Sequence, residues 1–466
     1  MGINTMLQLL GAITFEQPWI MTGLFLIFYI ILGKYALKYP VVAVVMYYGT
    51  VIMNPQMHFP LFTELPMAKI VVGFCVIACI MNSKKISFKF PPFLIIVILF
   101  IITANISAIS AIQPELSEQR FEEFNKIMII TIITTIIVAS RKDYTILFYG
   151  LLSSFFFDIM KNLIETQTMG SWGSVRGSFG WLSDSNDWAL ALSMALPLFY
   201  TAIIMNWQKG WKTRVIFITA AIGALLTLTL TSSRGGFLAA MISGLAFILM
   251  DRKPVRALIT GAMISIVVWF YMPESFVDKV QTLIGMDEKA TAAWSGDISE
   301  DEEYTGAERV YFWHIAYDVM LEHPTTGVGW GNFIKEMERR AGAKAVAHST
   351  WFQVGAEAGV PGIVCYIIMT ISALTMAFVV WVRSRRSQDI WLEIHSRTIF
   401  CGLLAFCVGA SFVSRENSEL LFLYITITSL LPRFILRKQS RKLSRHRNIP
   451  SKLIQQNVNN VYQPSR

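Results

Sequence analysis

Apolar runs alternate with short polar connections along nearly the whole chain, most of the runs close to the ~20 residues that carry a helix across ~30 Å of hydrocarbon. Sustained apolar character predicts spans near 19–33, 40–53, 66–81, 92–111, 124–140 and 143–161. Seven more follow near 187–206, 214–231, 235–250, 255–272, 360–382, 396–414 and 417–435. One stretch, 273–349, breaks the rhythm because it holds no run long enough to span a bilayer. The pattern predicts an all-α polytopic membrane protein with about 13 transmembrane helices (12 to 14) and one large outward-facing loop containing short helices. Four parts result: N-terminal transmembrane helices over 1–272, the loop over 273–349, C-terminal transmembrane helices over 350–435, and a tail over 436–466.

Charge orients this ladder. One set of connections is basic: Lys34 and Lys38; Lys84, Lys85 and Lys89; Arg141 and Lys142; Lys209, Lys212 and Arg214; Arg252, Lys253 and Arg256; Arg383, Arg385, Arg386 and Arg397. The alternate connections (54–65, 112–123, 162–186, 232–234, 273–349 and 415–416) are acidic, neutral or sparsely basic. Positive residues favour the cytoplasmic side, which turns the amino terminus and the long loop outward. The net charge of +9 resides in the end of the chain: Pro432 to Arg466 holds nine Lys/Arg and no acid, and the rest is balanced. Such a tail is expected to be disordered and to lie in the cytoplasm against anionic lipid. It has no fold-forming pattern that would suit nucleic acid, so no nucleic-acid partner is expected.

Several chemistries are not signalled. Cys75, Cys79, Cys365, Cys401 and Cys407 all fall in apolar segments, so no disulfide framework is implied. The six histidines are scattered, with no i, i+4 pair and no cysteine partner, so neither a metal site nor a cofactor is expected. The acids at Asp297, Glu300, Asp301, Glu302 and Glu303 read as a solvated loop rather than a Ca²⁺ site. No basic n-region or small-residue cleavage site marks a cleaved signal peptide. Intramembrane polar residues are few, chiefly Asn105 and the pair Asp158 and Lys161. No internal repeat is apparent, which disfavours a transporter or flippase built from repeats.

The candidate chemistry sits at the outer edges. Ser232-Ser233-Arg234-Gly235-Gly236 joins two spans without a real loop. A snorkelling arginine in a tight turn would explain it. A guanidinium beside a helix N-terminus, with glycines that permit close backbone approach, would equally suit phosphate oxygens. Arg176 lies on a Gly-flanked segment with Trp172, Phe179 and Trp181 nearby, a setting for a membrane-interface belt or for stacking on sugar rings. After it, Asp184 or Ser185 can cap a helix starting near Asp187. In the long loop a helical pattern runs over 307–322, with Thr305 and Glu308 forming a capping box and Arg309 in its first turn. Gly327-Val-Gly-Trp-Gly331 is a flexible turn or, more weakly, a phosphate loop. His348 closes the long loop; its ordinary pKa leaves it neutral at pH 7, as a general base for a hydroxyl requires.

Taken in order, Arg176-Gly-Ser-Phe…Asn186-Asp187, Ser233-Arg234-Gly235-Gly236, Gly306…Arg309…Trp313, His323-Pro324…Gly327-x-Gly and His348-Ser…Glu357-x-Gly359 resemble the O-antigen ligase superfamily. Met53-Asn54-Pro55 and Leu65-Pro66 make the chain similar to the O-glycosylation ligases associated with exosortase systems, and the resemblance covers roughly residues 40–380. It implies a metal-independent glycosyltransferase of the bacterial inner membrane that moves a glycan from undecaprenyl diphosphate to an acceptor hydroxyl at the outer face. The acceptor would be a glycolipid, a glycan or a protein. By motif match Arg234 and Arg309, with Arg176 beside them, would hold the diphosphate, and His348 would activate the acceptor. The family's compact Gly-Arg is Gly306-Ala-Glu-Arg309 here. The same superfamily includes polymerases of lipid-linked glycan repeats, from which these residues do not separate a ligase.

Overall fold

The structure is a computed structural model that describes residues 18–83, 91–169, 175–177, 182, 184–255, 258–259 and 306–446. The expected span 255–272 and the loop up to residue 305 therefore lie almost wholly outside the described residues, as do Trp172, Phe179, Trp181 and Thr305.

The described residues are helical throughout, without a strand. In chain order the helices are α1 (Pro18–Lys38), α2 (Pro40–Met53), α3 (Met67–Met81), α4 (Leu94–Ile109), α5 (Pro114–Ile137), α6 (Arg141–Met169) and α7 (Ser185–Asn206). They continue as α8 (Trp211–Leu230), α9 (Arg234–Leu249), α10 (Gly306–Glu322), α11 (Phe333–Ala341), α12 (Thr350–Arg386), α13 (Ile390–Gly409) and α14 (Glu419–His446). Five described segments are long and apolar enough to cross a membrane: Arg141–Thr166, Ser185–Lys209, Trp211–Leu230, Thr350–Arg386 and Ile390–Gly409. Pro40–Met53, Met67–Met81, Leu94–Ile109 and Arg234–Leu249 are apolar but shorter. This is a helical membrane protein. Helix α14 runs to His446, past the boundary expected at 435, because hydropathy registers where apolar residues stop and not where backbone hydrogen bonding stops.

Packing divides the helices by role. α7, α9, α12, α13 and α14 form the centre, with α8 against α7 and α4 against α12. α2 packs on α6, and α1 and α3 pack on α2. Outside this core, Ile95, Ile102, Ile216, Leu245 and Ile371 are exposed on their helices, an apolar exterior suited to lipid rather than water. A second, smaller core lies beyond the bundle. Phe312, Ile315, Ala316 and Val319 recur at helical spacing on α10 and bury against Val328, Phe333, Met337, Ala347 and Ala356.

The two ends of the central bundle differ in charge chemistry. At one end the basic connections are tied into ion pairs: Arg141 to Asp389, Arg252 to Glu393, and Arg397 Nη1 to Asp251 Oδ2 at 2.6 Å. Arg385 Nη1 donates to the Met250 carbonyl at 3.0 Å. These are the ends at which α9 and α12 finish and α6 and α13 begin. The opposite end is where α7, α9 and α12 begin, and α10 and α11 pack over it against α12. Asn105 and Asp158, the polar residues that a transporter would use, are satisfied locally. Asn105 Nδ2 donates to the Ile101 carbonyl at 2.7 Å, and Lys161 Nζ lies 3.5 Å from Asp158 Oδ1.

Candidate functional site at the loop end of the bundle

The start of α7 organises this end. Asp184 is its N-cap and accepts from the Asn186 backbone N–H at 2.7 Å, the local role expected of it. The next two polar residues do more than end a helix. Asn186 Oδ1 accepts from the Ser233 hydroxyl at 2.7 Å, and buried Asp187 pairs with Arg415. Two distant segments, the turn before α9 and the turn before α14, are thus fastened to a single helical turn.

Ser233 in turn caps α9 by accepting from the Gly236 N–H at 3.3 Å, which leaves Arg234 as the first residue of that helix. The glycines after it are required by contact distance. A Cβ on Gly236 would stand 2.3 Å from the Ala189 Cβ, and one on Gly235 would stand 2.8 Å from the Phe412 Cβ. The close approach expected of this pair is realised: α9 lies against α7, Ser193 Oγ donates to the Gly236 carbonyl at 2.7 Å, and Arg234 is delivered at the rim.

Arg309 enters from α10. Its Nη1 lies 3.5 Å from the Phe412 carbonyl, a long hydrogen bond to the turn between α13 and α14. Burial lowers its pKa, the nearby Arg234 lowers it further, and Asp184 acts in the opposite sense. Two guanidiniums held near each other with a carboxylate beside them form a positive pocket that an anion would stabilise.

His348 completes the group. Ala347 is buried in the small outer core, and His348 follows it with a backbone φ of 51°, in the left-handed region that non-glycine residues rarely enter. Its ring stacks on Phe312, centroids 6.2 Å apart and planes 21° from parallel. Burial lowers the imidazole pKa below 6.5, the Arg309 charge lowers it further, and Asp184 partly offsets both. The ring is half-buried, as are Arg234 and Arg309, so all three remain open to a ligand. An imidazole kept neutral beside the Arg309 guanidinium, itself near Arg234, can accept a proton from a hydroxyl while the two cations hold an anionic leaving group.

The turn between α13 and α14 is the floor of this site, and the sequence reading passed over it. Thr350 N–H donates to the Ala410 carbonyl at 2.8 Å, Thr350 Oγ1 donates to Val413 O at 2.6 Å, and Arg415 N–H donates to Thr350 Oγ1 at 2.9 Å. Arg415 carried no signal of its own. Its sequence surroundings, Ser-Arg-Glu-Asn, look like an ordinary outer turn. Among the described residues, no three His, Cys, Asp or Glu side chains converge as a metal site would need.

Arg176 is exposed on a segment pinned to the end of α8 by the Val175 N–H to Leu230 carbonyl bond. The Gly327-x-Gly-x-Gly331 run is a packing element rather than a phosphate loop. A Cβ at Gly327 would stand 2.3 Å from the Glu357 backbone, one at Gly329 2.3 Å from the Ala111 Cβ, and one at Gly331 2.6 Å from Arg120 Cγ. Gly327 has φ 66°, and its neighbours Val328 and Gly329 donate to the carbonyls of Ala356 and Glu357. The run is consumed in seating the outer loop on α12.

Residues 219–367, which contain Arg234, Arg309 and His348, match the family described as O-antigen ligase. The chain carries an O-antigen ligase domain. Residues 21–186, which run from α1 to the start of α7 and include Arg176, match a family of unknown function. No match to a curated protein is found. The O-antigen ligase match supports glycan transfer at a membrane as the coarse function, with lipid-linked glycan and acceptor as its substrates.

Proposed function

We propose that the protein is a glycosyltransferase of the bacterial inner membrane that transfers a glycan from an undecaprenyl-diphosphate-linked donor to an acceptor hydroxyl at the outer face. The observation that carries this reading is the electrostatic grouping of Arg234, Arg309 and His348 from three separate elements at one end of the bundle. Arg234 and Arg309 bind the diphosphate, with Arg176 an outlying contact. His348 takes the proton of the acceptor hydroxyl as its oxygen attacks the anomeric carbon. The bond between that carbon and the diphosphate oxygen breaks, and the electron pair leaves on the diphosphate, where two fixed positive charges oppose its rising negative charge. No metal ion has a part in this mechanism. The acceptor is a glycolipid, a glycan or a protein.

Reconstitution into vesicles with a lipid-linked oligosaccharide tests the function. Release of diphospholipid is expected only when an acceptor hydroxyl is supplied. Extension of the donor's own glycan with no other acceptor present would make the protein a polymerase using the same residues. Movement of intact donor across the bilayer without release would make it a flippase.

The orientation is part of the proposal: thirteen spans, loop 273–349 outside, tail inside. With native cysteines replaced, Ser299→Cys is expected to react with an impermeant thiol reagent in intact cells and Ser451→Cys only after permeabilisation. The reverse pattern would remove the site from the outer face.

A further inference from the structure

The backbone at His348 is held from behind by a side-chain relay that no motif reading singled out for this purpose. Ala347 N–H donates to Gln353 Oε1 at 2.9 Å, and the Ser414 hydroxyl donates to the same oxygen at 3.2 Å. Gln353 Nε2 then donates to Glu357 Oε1 at 2.6 Å. All of this is interior: Gln353 is 3% and Glu357 1% exposed. Both lie on the first two turns of α12, ahead of the break at Gly359, where φ is 66° and ψ −168°. Glu357 is itself anchored, since its backbone carbonyl accepts from Ser107 Oγ on α4 at 2.6 Å and from the Gly329 N–H at 3.1 Å.

We propose that Gln353 and Glu357 are positioning residues for His348, the base in the function proposed above, on which this inference rests. The chemistry of the amide makes the arrangement one-directional. A backbone N–H can only donate, so Ala347 fixes which end of the Gln353 amide is the oxygen, and the nitrogen is left to face Glu357 Oε1. The oxygen then faces Ala347 N–H and Ser414. One amide group therefore ties together the peptide preceding the left-handed His348 and the turn whose Phe412 carbonyl meets Arg309. Without it, the backbone at 347–348 is free to relax towards a commoner conformation, and the imidazole loses its aim at the acceptor while the arginines keep theirs. This division of labour predicts a defect in turnover rather than in donor affinity.

The test uses the full-length protein in lipid nanodiscs with two readouts. Gln353→Met preserves length and burial but removes all three side-chain hydrogen bonds. It is expected to lower kcat about 10- to 100-fold while donor Kd stays within about twofold. Gln353→Asn, one methylene too short to reach both partners, serves where the methionine variant does not fold. The exchanged pair Gln353→Glu/Glu357→Gln keeps an acceptor toward Ala347 N–H and a donor between the two positions, and is expected to recover most of the lost turnover. The second readout is the set of imidazole signals in protein labelled with ¹⁵N-histidine, six in all, with His348 identified by its loss in His348→Ala. That signal should move in Gln353→Met and return in the exchanged pair. A folded Gln353→Met or Gln353→Asn protein with parental kcat, or with an unmoved His348 signal, overturns the relay. If the parent protein transfers no glycan, the function proposed above falls, and the histidine spectrum alone decides whether Gln353 positions His348.

Discussion

Replacing His348 by alanine is expected to cut glycan transfer by about 10²- to 10⁴-fold, the usual contribution of a general base, without weakening donor binding. In the proposed mechanism the phosphates are met by Arg234 and Arg309, whose charges do not depend on the histidine. The pH dependence supplies a second signature. A base works only when neutral, and burial together with Arg309 holds the His348 pKa below its ordinary 6.5. Transfer should therefore decline as pH falls, with a midpoint at lower pH than the 6.5 of an unperturbed histidine. In His348→Ala this acid limb should vanish from whatever activity remains. Single-turnover transfer measured across pH, alongside donor affinity, checks both points. Parental turnover in a folded alanine variant would take His348 out of the mechanism and make Glu357 the next acid to test. A loss of donor binding equal to the loss of transfer would make it a binding residue.

Substitution of Arg234 is expected to act on the other half of the reaction. Arg234→Ala should weaken donor binding about 10- to 100-fold, which corresponds to the roughly 1.5–3 kcal/mol of a hydrogen bond to a charged group. Arg234→Lys should be nearly as damaging, because an ammonium preserves the charge but not the planar fork that grips two phosphate oxygens at once. The site amplifies this difference. Arg234 is the first residue of α9, fixed between Ser233, which is bonded to Asn186, and two glycines pressed against Ala189 and Phe412. A lysine there cannot move to compensate. Donor affinity by titration in nanodiscs, with folding followed by thermal denaturation, separates lost contact from lost structure. Parental affinity in the lysine variant would return Arg234 to a snorkelling role.

Particular residues show why some of this was legible in the chain and some was not. The α7 cap at Asp184, the helix over 306–322 and the short helices at 40–53 and 67–81 follow from interactions within a turn or two, or from apolar runs, and such signals are written locally. Arg234, Arg309 and His348 could be nominated because their neighbours resemble a family's motifs in order. Arg176 was nominated by the same route, and the fold leaves it exposed. The glycine run at 327–331 shows a limit. Its spacing suggested a flexible turn or, more weakly, a phosphate loop, and in the fold it lets two backbones touch.

By itself, then, the sequence determined that the protein is a bundle of membrane helices with basic connections. Helix formation and bilayer partitioning depend on stretches of about 20 residues whose composition is directly readable. Only the tertiary structure decided which polar groups meet. Asp187 and Arg415 are 228 positions apart, Asn186 and Ser233 are 47 apart, and the Arg309–Phe412 contact spans 103. Those pairings depend on which helix faces pack and how closely their backbones approach, through contacts such as Gly236 on Ala189. The directional relay from Glu357 through Gln353 to the peptide before His348 exists only once α12 has docked, because a hydrogen bond requires its donor and acceptor to be brought within about 3 Å.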